Sequence, residues 1–252
     1  SAVGYPRIVS LKRFATVPIT IGAVFLWACG LYTTDMNAKL IPAINVESFD
    51  ELERRVRLLE KIALPLGIDT VHIDVADGTF TENTIWHDAR ELAGFETPLK
   101  LDVHLMLADI DMRVEEWLAH PVSRVIFHIE ASRDPMFVIG KCRGAGKKVL
   151  AALRPETPAD AARPFWTTAD GIQVLAVIPG QAGQAMLPEM PGKITTVRQG
   201  CPSCIIEVDG GVTVENARSL ADAGATELVA ASAIFGDADP AGAIARFIRE
   251  LS

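Results

Sequence analysis

The chain has 252 residues, 49% hydrophobic and 22% charged, a balance that suits a globular protein with a sizeable core and excludes a disordered one. Its formal net charge of −8 argues against nucleic acid as a partner, because phosphate backbones want a basic face. The four cysteines, Cys29, Cys142, Cys201 and Cys204, form no evident disulfide framework.

Residues 1–35 read differently from the remainder. Arg7, Lys12 and Arg13 precede an uncharged stretch from Phe14 to Thr34, whose length and flanking charges suit a membrane anchor or an uncleaved signal. Pro18, Gly22, Gly30 and the threonines at 16, 20, 33 and 34 dilute its apolar character. Upstream sequence outside the working protein is the equal alternative. The expected organisation is an extension over 1–35 followed by one domain over 36–252. The expected location is cytoplasmic, with membrane association through residues 14–34 as the alternative.

From Met36 onward, strand-like and helical segments alternate. Apolar, β-branched runs predict strands at 39–45, 69–76, 99–107, 123–130, 147–153, 172–178, 204–209 and 226–232. Ser48, Asp50 and Glu51 open a helix whose apolar positions are Leu52, Val56, Leu59 and Ile62. Another runs from Thr213 to Ala223 and stops at Gly224, and a last one begins at Pro240 and runs through Phe247 to Leu251. Eight strands with mainly helical crossovers fit the α/β class as a parallel, eight-stranded (β/α)8 TIM barrel. A doubly wound sheet is the rival, but no GxGxxG follows the first strand.

Three of these strands carry ionisable residues that buried strands do not normally hold without partners: His72 and Asp74 in VHIDVAD, His104 in LDVHLML and Asp209 in IIEVDGG. Side chains alternate along a strand, so His72 and Asp74 point the same way. All four lie at or near the carboxyl ends of parallel strands, where such folds place their functional groups. Two imidazoles and two carboxylates converging there suit one divalent cation, zinc, iron or manganese. The plainer alternative is a satisfied polar layer inside the barrel. Asp102 and Glu207 sit two residues before a proposed ligand, one layer deeper, either accepting from the imidazoles or pairing with Lys100. Cys201 and Cys204 form a CxxC around Pro202, read as a turn rather than a redox or metal motif. His87 and His120 read as ordinary surface histidines.

The segments VHIDVADGTF, LDVHLM, FHIEAS, PGQAGQ, EVDGG and AASAIF, in that order, resemble the ribulose-phosphate 3-epimerase family over residues 38–236. The resemblance implies a barrel enzyme that inverts C3 of a ketopentose phosphate, interconverting ribulose 5-phosphate and xylulose 5-phosphate. It also implies that His72, Asp74, His104 and Asp209 hold the metal, with Asp74 and Asp209 as the acid/base pair. His128 and Glu130 match a family motif in type but are assigned no catalytic step. Gly180, Gly183, Gly210 and Gly211 lie in turns whose backbone N–H groups can approach an anion, and Ser232 opens the turn after the eighth strand. These five are the expected phosphate residues, against a reading in which the glycines only make tight turns.

Departures from the family pattern fall on the sugar-contacting shell. Ala43 and Val46 stand where the family offers serines, with Asn45 beside them as a donor or acceptor. Of three family methionines over the reacting carbons only Met106 is present; Ala76 and Leu175 take the other two places. Ala231 replaces the glycine before Ser232. A small phosphorylated sugar is therefore the expected partner, and self-association into a homo-oligomer remains open. The alternatives are a related phosphosugar barrel enzyme, a hexulose-phosphate epimerase or aldol-type lyase, and a non-catalytic phosphosugar-binding barrel.

Overall fold

A computed structural model describes residues 38–180 and 183–252. The stretch 14–34, Cys29, and Gln181 and Ala182 of the PGQAGQ loop lie outside the described residues. The described elements are β1 (Lys39–Ile44), α1 (Phe49–Ile62), β2 (Thr70–Ala76), β3 (Lys100–Met106), α2 (Ile110–Arg113), β4 (Val122–His128), α3 (Pro135–Gly144), β5 (Lys148–Leu153), β6 (Gly171–Leu175), α4 (Met190–Gly200), β7 (Ile205–Asp209), α5 (Val214–Asp222), β8 (Glu227–Ala230), α6 (Ser232–Phe235) and α7 (Pro240–Leu251). The strands pair in parallel in sequence order, and β1 closes on β8. This is the expected (β/α)8 barrel. Among the described residues no helix is long and apolar enough to cross a membrane.

Local chemistry sets the helices. Ser48 Oγ accepts the Glu51 N–H at 3.4 Å and starts α1, which turns Leu52, Val56 and Leu59 onto the barrel wall. Asn216 reaches back to the Thr213 N–H at 2.9 Å to open α5. That helix stops before Gly224, whose φ of 115° few side chains tolerate. Asp239 caps α7, and Phe247 beneath it is fully buried, a contribution of about 1.5–3 kcal/mol for a side chain of that size.

Strand alternation divides the interior. Outward residues such as Val71, Ile73, Val75, Val103, Leu105, Val125 and Phe127 join the helices in one continuous apolar core. Inward residues fill the barrel: Ile41 and Ala43 against Val229, and Ile126 against Leu150 and Ala152. The register sets Asp74 beside His104, and Ala76 beside Met106, on the inward face.

One layer deeper lies a charged plug. Buried Arg124 of β4 places Nη2 2.6 Å from both Asp102 and Glu207, and Nη1 2.7 Å from Glu227. Of the two alternatives for Asp102 and Glu207, pairing with Lys100 is not formed; Lys100 reaches Asp69 at 2.5 Å on the outer rim instead. Lys100 has the inward parity but sits at the first residue of β3, where its long chain can turn out to water.

Several strands end earlier than their apolar runs suggest. β4 stops at His128, and Ile129–Ala131 turn into a 3-10 helix; β6 stops at Leu175, and β8 gives way to α6 at Ser232. In each case the chain must leave the barrel wall to form the mouth. The two cysteines of the CxxC are joined as a disulfide, correcting the reading of that segment as a bare turn. The turn brings their Cα atoms to 5.5 Å, within bridging range.

Candidate active site

His72 and Asp74 lie in the second half of β2, His104 in β3 and Asp209 at the end of β7, and all four converge inside the barrel. Asp74 Oδ1 stands 3.2 Å from His72 Nε2 and 3.2 Å from His104 Nδ1. Asp209 Oδ2 stands 3.2 Å from the same His104 nitrogen and 3.8 Å from His72 Nε2. One donor atom from each residue falls within 4.8 Å of the other three. The imidazoles are fully buried, whereas the Asp74 and Asp209 side chains keep 11% and 13% of their surface exposed. The carboxylates thus face the cavity while the imidazoles lie buried behind them.

The electrostatics call for positive charge at this point. Burial alone would push the His72 imidazole down, yet Asp74, Glu207 and Asp209 around it hold its pKa well above the ordinary value. For His104, Asp209 and Asp74 likewise outweigh burial and raise the pKa. Asp74 is the mirror case: burial opposes ionisation, but the two imidazoles hold its carboxyl far below the usual range. A cation suits the same volume. Ligand bonds of about 2.0–2.1 Å in a tetrahedral site set donor atoms roughly 3.4 Å apart, close to the 3.2 to 3.8 Å of the four imidazole–carboxylate pairs here, with every pair inside 4.8 Å. His72, Asp74, His104 and Asp209 therefore fit a divalent metal in number, chemistry and spacing.

Around them stands a support layer. Asn45 Nδ2 donates to Asp74 Oδ2 at 2.9 Å, the oxygen turned away from the imidazoles. Glu207 Oε1 lies 3.6 Å from His72 Nδ1 and accepts from Gln173 at 3.1 Å. Burial alone would raise the Glu207 pKa, but Arg124 and His72 hold it down at about 2. Asp102 behaves oppositely: burial outweighs Arg124 and pushes its carboxyl up to about 7. His104 Nε2 faces His128 Nε2 at 2.9 Å, and burial pushes the His128 imidazole down to about 4.

The cavity is lined by Asn45, Asp74, Met106, Leu175 and Asp209 below, and by Gly180, Gly183, Gly210, Gly211 and Ser232 at the rim. Of the ten candidate site residues, Asp74, Asp209, Met106, the four glycines and Ser232 line this cavity; His72 and His104 do not line it and lie buried beside the two aspartates. Gly211 has φ 68°, and a Cβ there would lie 2.3 Å from the Met186 backbone nitrogen. At Gly210, with φ 101°, a Cβ would meet Val177 at 2.5 Å. Those two positions admit only glycine, which keeps their backbone bare towards the cavity. His87 and His120 are exposed, as expected.

Sequence reasoning missed Arg124, although it shares the inward parity of His128 on the same apolar strand. It also missed the hydrogen bond from Asn45 to Asp74, and the flanking of the cavity by Val177 and Val212.

Relatives carry the same barrel. The chain superposes on 3-hexulose-6-phosphate synthase from Salmonella typhimurium with a TM-score of 0.63 at 19% identity, over 84% of this chain and 98% of that one. Orotidine 5′-phosphate decarboxylase from Pyrococcus horikoshii OT3 gives 0.60 at 16% identity, over 84% and 99%. Such distant matches speak for the fold alone. Closer in sequence are the ribulose-phosphate 3-epimerases of Mycobacterium leprae, 32% identical over 77% of this chain and 88% of that one, and of Schizosaccharomyces pombe, 32% identical over 81% and 90%. The cytoplasmic isoform of the same enzyme from Oryza sativa subsp. japonica is 35% identical over 81% and 90%. The model of the ribulose-phosphate 3 epimerase family matches residues 39–235, a span that takes in every residue of the metal-fitting cluster and of the glycine rim. With barrel, cluster and sequence in agreement, the chain belongs to the ribulose-phosphate 3-epimerase family.

Proposed function

We propose that this protein interconverts ribulose 5-phosphate and xylulose 5-phosphate by inverting C3 through an enediolate, with Asp74 and Asp209 as the two proton-transfer groups. The observation that carries the reading is that two carboxylates, from strands three places apart around the barrel, each set one oxygen 3.2 Å from one imidazole nitrogen. A proton next to a ketone is weakly acidic, and inversion requires one group to remove it and another to return one on the opposite face. His72, Asp74, His104 and Asp209 would hold one zinc, iron or manganese ion. When bound, that ion stabilises negative charge developing on the ketone oxygen. Asn45 keeps Asp74 Oδ2 directed at the cavity. Met106 and Leu175 supply an apolar floor that excludes water from the reacting carbons, and Gly180, Gly183, Gly210, Gly211 and Ser232 receive the phosphate. Residues 36–252 act as the catalytic unit, with 1–35 as an extension and the reaction in the cytoplasm, as the rice relative's name indicates for that protein.

A second reading keeps the metal site and changes the sugar. Ala43, Val46, Ala76 and Leu175 alter the shell that would touch the carbon chain, which is where a hexulose phosphate would differ from a pentulose phosphate. The test is incubation of metal-loaded protein in D2O with each pentulose 5-phosphate and with hexulose 6-phosphates, followed by NMR. Deuterium at C3 together with interconversion of the pentulose pair is the expected result. Turnover of hexulose phosphates alone, or release of an aldehyde fragment, would replace this substrate assignment with the second reading. Absence of exchange in every sugar would leave a binding barrel.

A further inference from the structure

Behind His104 a file of planar groups leads away from the cavity. His128 lies 5.1 Å from His104 between ring centroids, Phe80 covers His128 at 4.8 Å, and the Arg154 guanidinium caps Phe80 at 4.4 Å. Arg154 Nη2 also donates to the Phe80 carbonyl at 3.1 Å, which fixes the outer end of the file. His128 is fully buried and belongs to no group that touches the cavity.

The contact between the two rings has only one consistent proton count. His104 Nε2 and His128 Nε2 are 2.9 Å apart. Two bare nitrogens at that distance would oppose lone pairs, and two N–H groups would collide, so one proton lies between them. His104 Nδ1 is the nitrogen that faces Asp74 and Asp209, each at 3.2 Å. An imidazole that gives Nδ1 to a cation carries its proton on Nε2. His128 then accepts at Nε2 and, being neutral, holds its own proton on Nδ1. That nitrogen faces Glu130 Oε2 at 3.4 Å. Glu130 in turn is anchored by the Arg154 backbone N–H at 2.9 Å and by the Thr157 hydroxyl.

We infer that His128 and Glu130 are positioning residues that lock His104 in the tautomer presenting Nδ1 to the cation, an inference that rests on reading His72, Asp74, His104 and Asp209 as the ligand set. The two ring ligands are then tethered differently. His104 Nε2 meets a second imidazole, with the Glu130 carboxylate 3.4 Å beyond it, whereas His72 Nδ1 faces the Glu207 carboxylate directly at 3.6 Å; neither carboxylate closes to a hydrogen bond.

The test uses the full chain labelled with 15N-histidine, with and without zinc. Long-range proton–nitrogen correlations report which ring nitrogen carries each proton, a readout that packing alone would not move. The expected pattern with zinc is a proton on His104 Nε2, none on His128 Nε2, and one on His128 Nδ1. His128→Phe should weaken zinc binding about 10- to 100-fold, the usual cost of losing a partner behind a metal-binding imidazole. His128→Gln, whose amide oxygen can accept from His104, should recover most of that loss. Glu130→Gln leaves the rings in place and, by weakening the acceptor that faces His128 Nδ1, should lower zinc affinity by less than His128→Phe does. A zinc-loaded wild type with the proton on His128 Nε2 would overturn the inference and leave the ligand set standing. So would unchanged zinc affinity in both His128 variants. Failure of the wild type to take up zinc, iron or manganese would overturn the ligand set and this inference together.

Discussion

Asp209→Asn isolates proton transfer from metal holding. Asp209 Oδ2 stands 3.2 Å from His104 Nδ1 and 3.8 Å from His72 Nε2, a looser placement than Asp74 Oδ1, which sits at 3.2 Å from both. An asparagine keeps an oxygen for the cation at that place but has no basic oxygen to accept a proton. A positioned acid/base group contributes about 10²- to 10⁴-fold, equivalent to roughly 3–5 kcal/mol of barrier at 1.36 kcal/mol per tenfold. Inversion of either epimer should therefore slow by that factor, with KM within a few-fold because the glycine rim is untouched. Asp74 is intact in this variant, so one epimer should still exchange its C3 proton with D2O while failing to invert. The assay follows deuterium entry and epimer ratio by NMR from each pentulose phosphate separately, with metal content measured on the same sample. A metal-replete Asp209→Asn protein inverting at the wild-type rate would refute the two-carboxylate mechanism. Loss of exchange from both epimers with metal retained would mean that Asp209 does all the proton work.

Four further outcomes are expected. Arg124→Met strands Asp102, Glu207 and Glu227 around no cation, and should cost about 3–5 kcal/mol in urea unfolding at neutral pH; a loss under 1 kcal/mol would show that the plug is not held by its ion pairs. Gly211→Ala, forced against the Met186 backbone at 2.3 Å, should raise KM at least tenfold for phosphorylated substrates, read from initial rates; an unchanged KM would remove Gly211 from the phosphate assignment. Residues 36–252 expressed alone should turn over at the full chain's rate, and aggregation of that form would make the extension part of the working protein. In the same shortened form, which lacks Cys29, burial pushes the Cys142 thiol up to about 12, so iodoacetamide at pH 8 should label Cys142 only after unfolding, as mass spectrometry would show.

The site was legible because barrels break a strong rule. Ionisable residues in β-branched strands stand out against their neighbours, and strand parity sends His72 with Asp74, and Asp102 with His104, to one face. What parity cannot tell is which charges meet across the interior. Arg124 meets Asp102, Glu207 and Glu227 from three other strands, and a register shift at Leu101/Asp102 helps bring the first of these alongside it. Strand ends were overread for a related reason. Ile129, Ala176 and Ala231 are as apolar as the strands before them, but the mouth of a barrel needs its chain to turn away whatever its hydropathy.

The cavity wall consists of two kinds of material. Its floor is side chains carried on strands, and its rim is largely bare backbone at Gly180, Gly183, Gly210 and Gly211. An anion held by main-chain N–H groups is held by atoms that most substitutions leave in place. Discrimination among sugars then has to be written in the floor side chains that neither move a proton, nor offer a ligand atom, nor hold a group that does: Met106 and Leu175, with Asn45 set apart by its bond to Asp74. A library restricted to Met106 and Leu175 would explore which ketose phosphates the barrel accepts while leaving Asn45, Asp74 and Asp209 untouched.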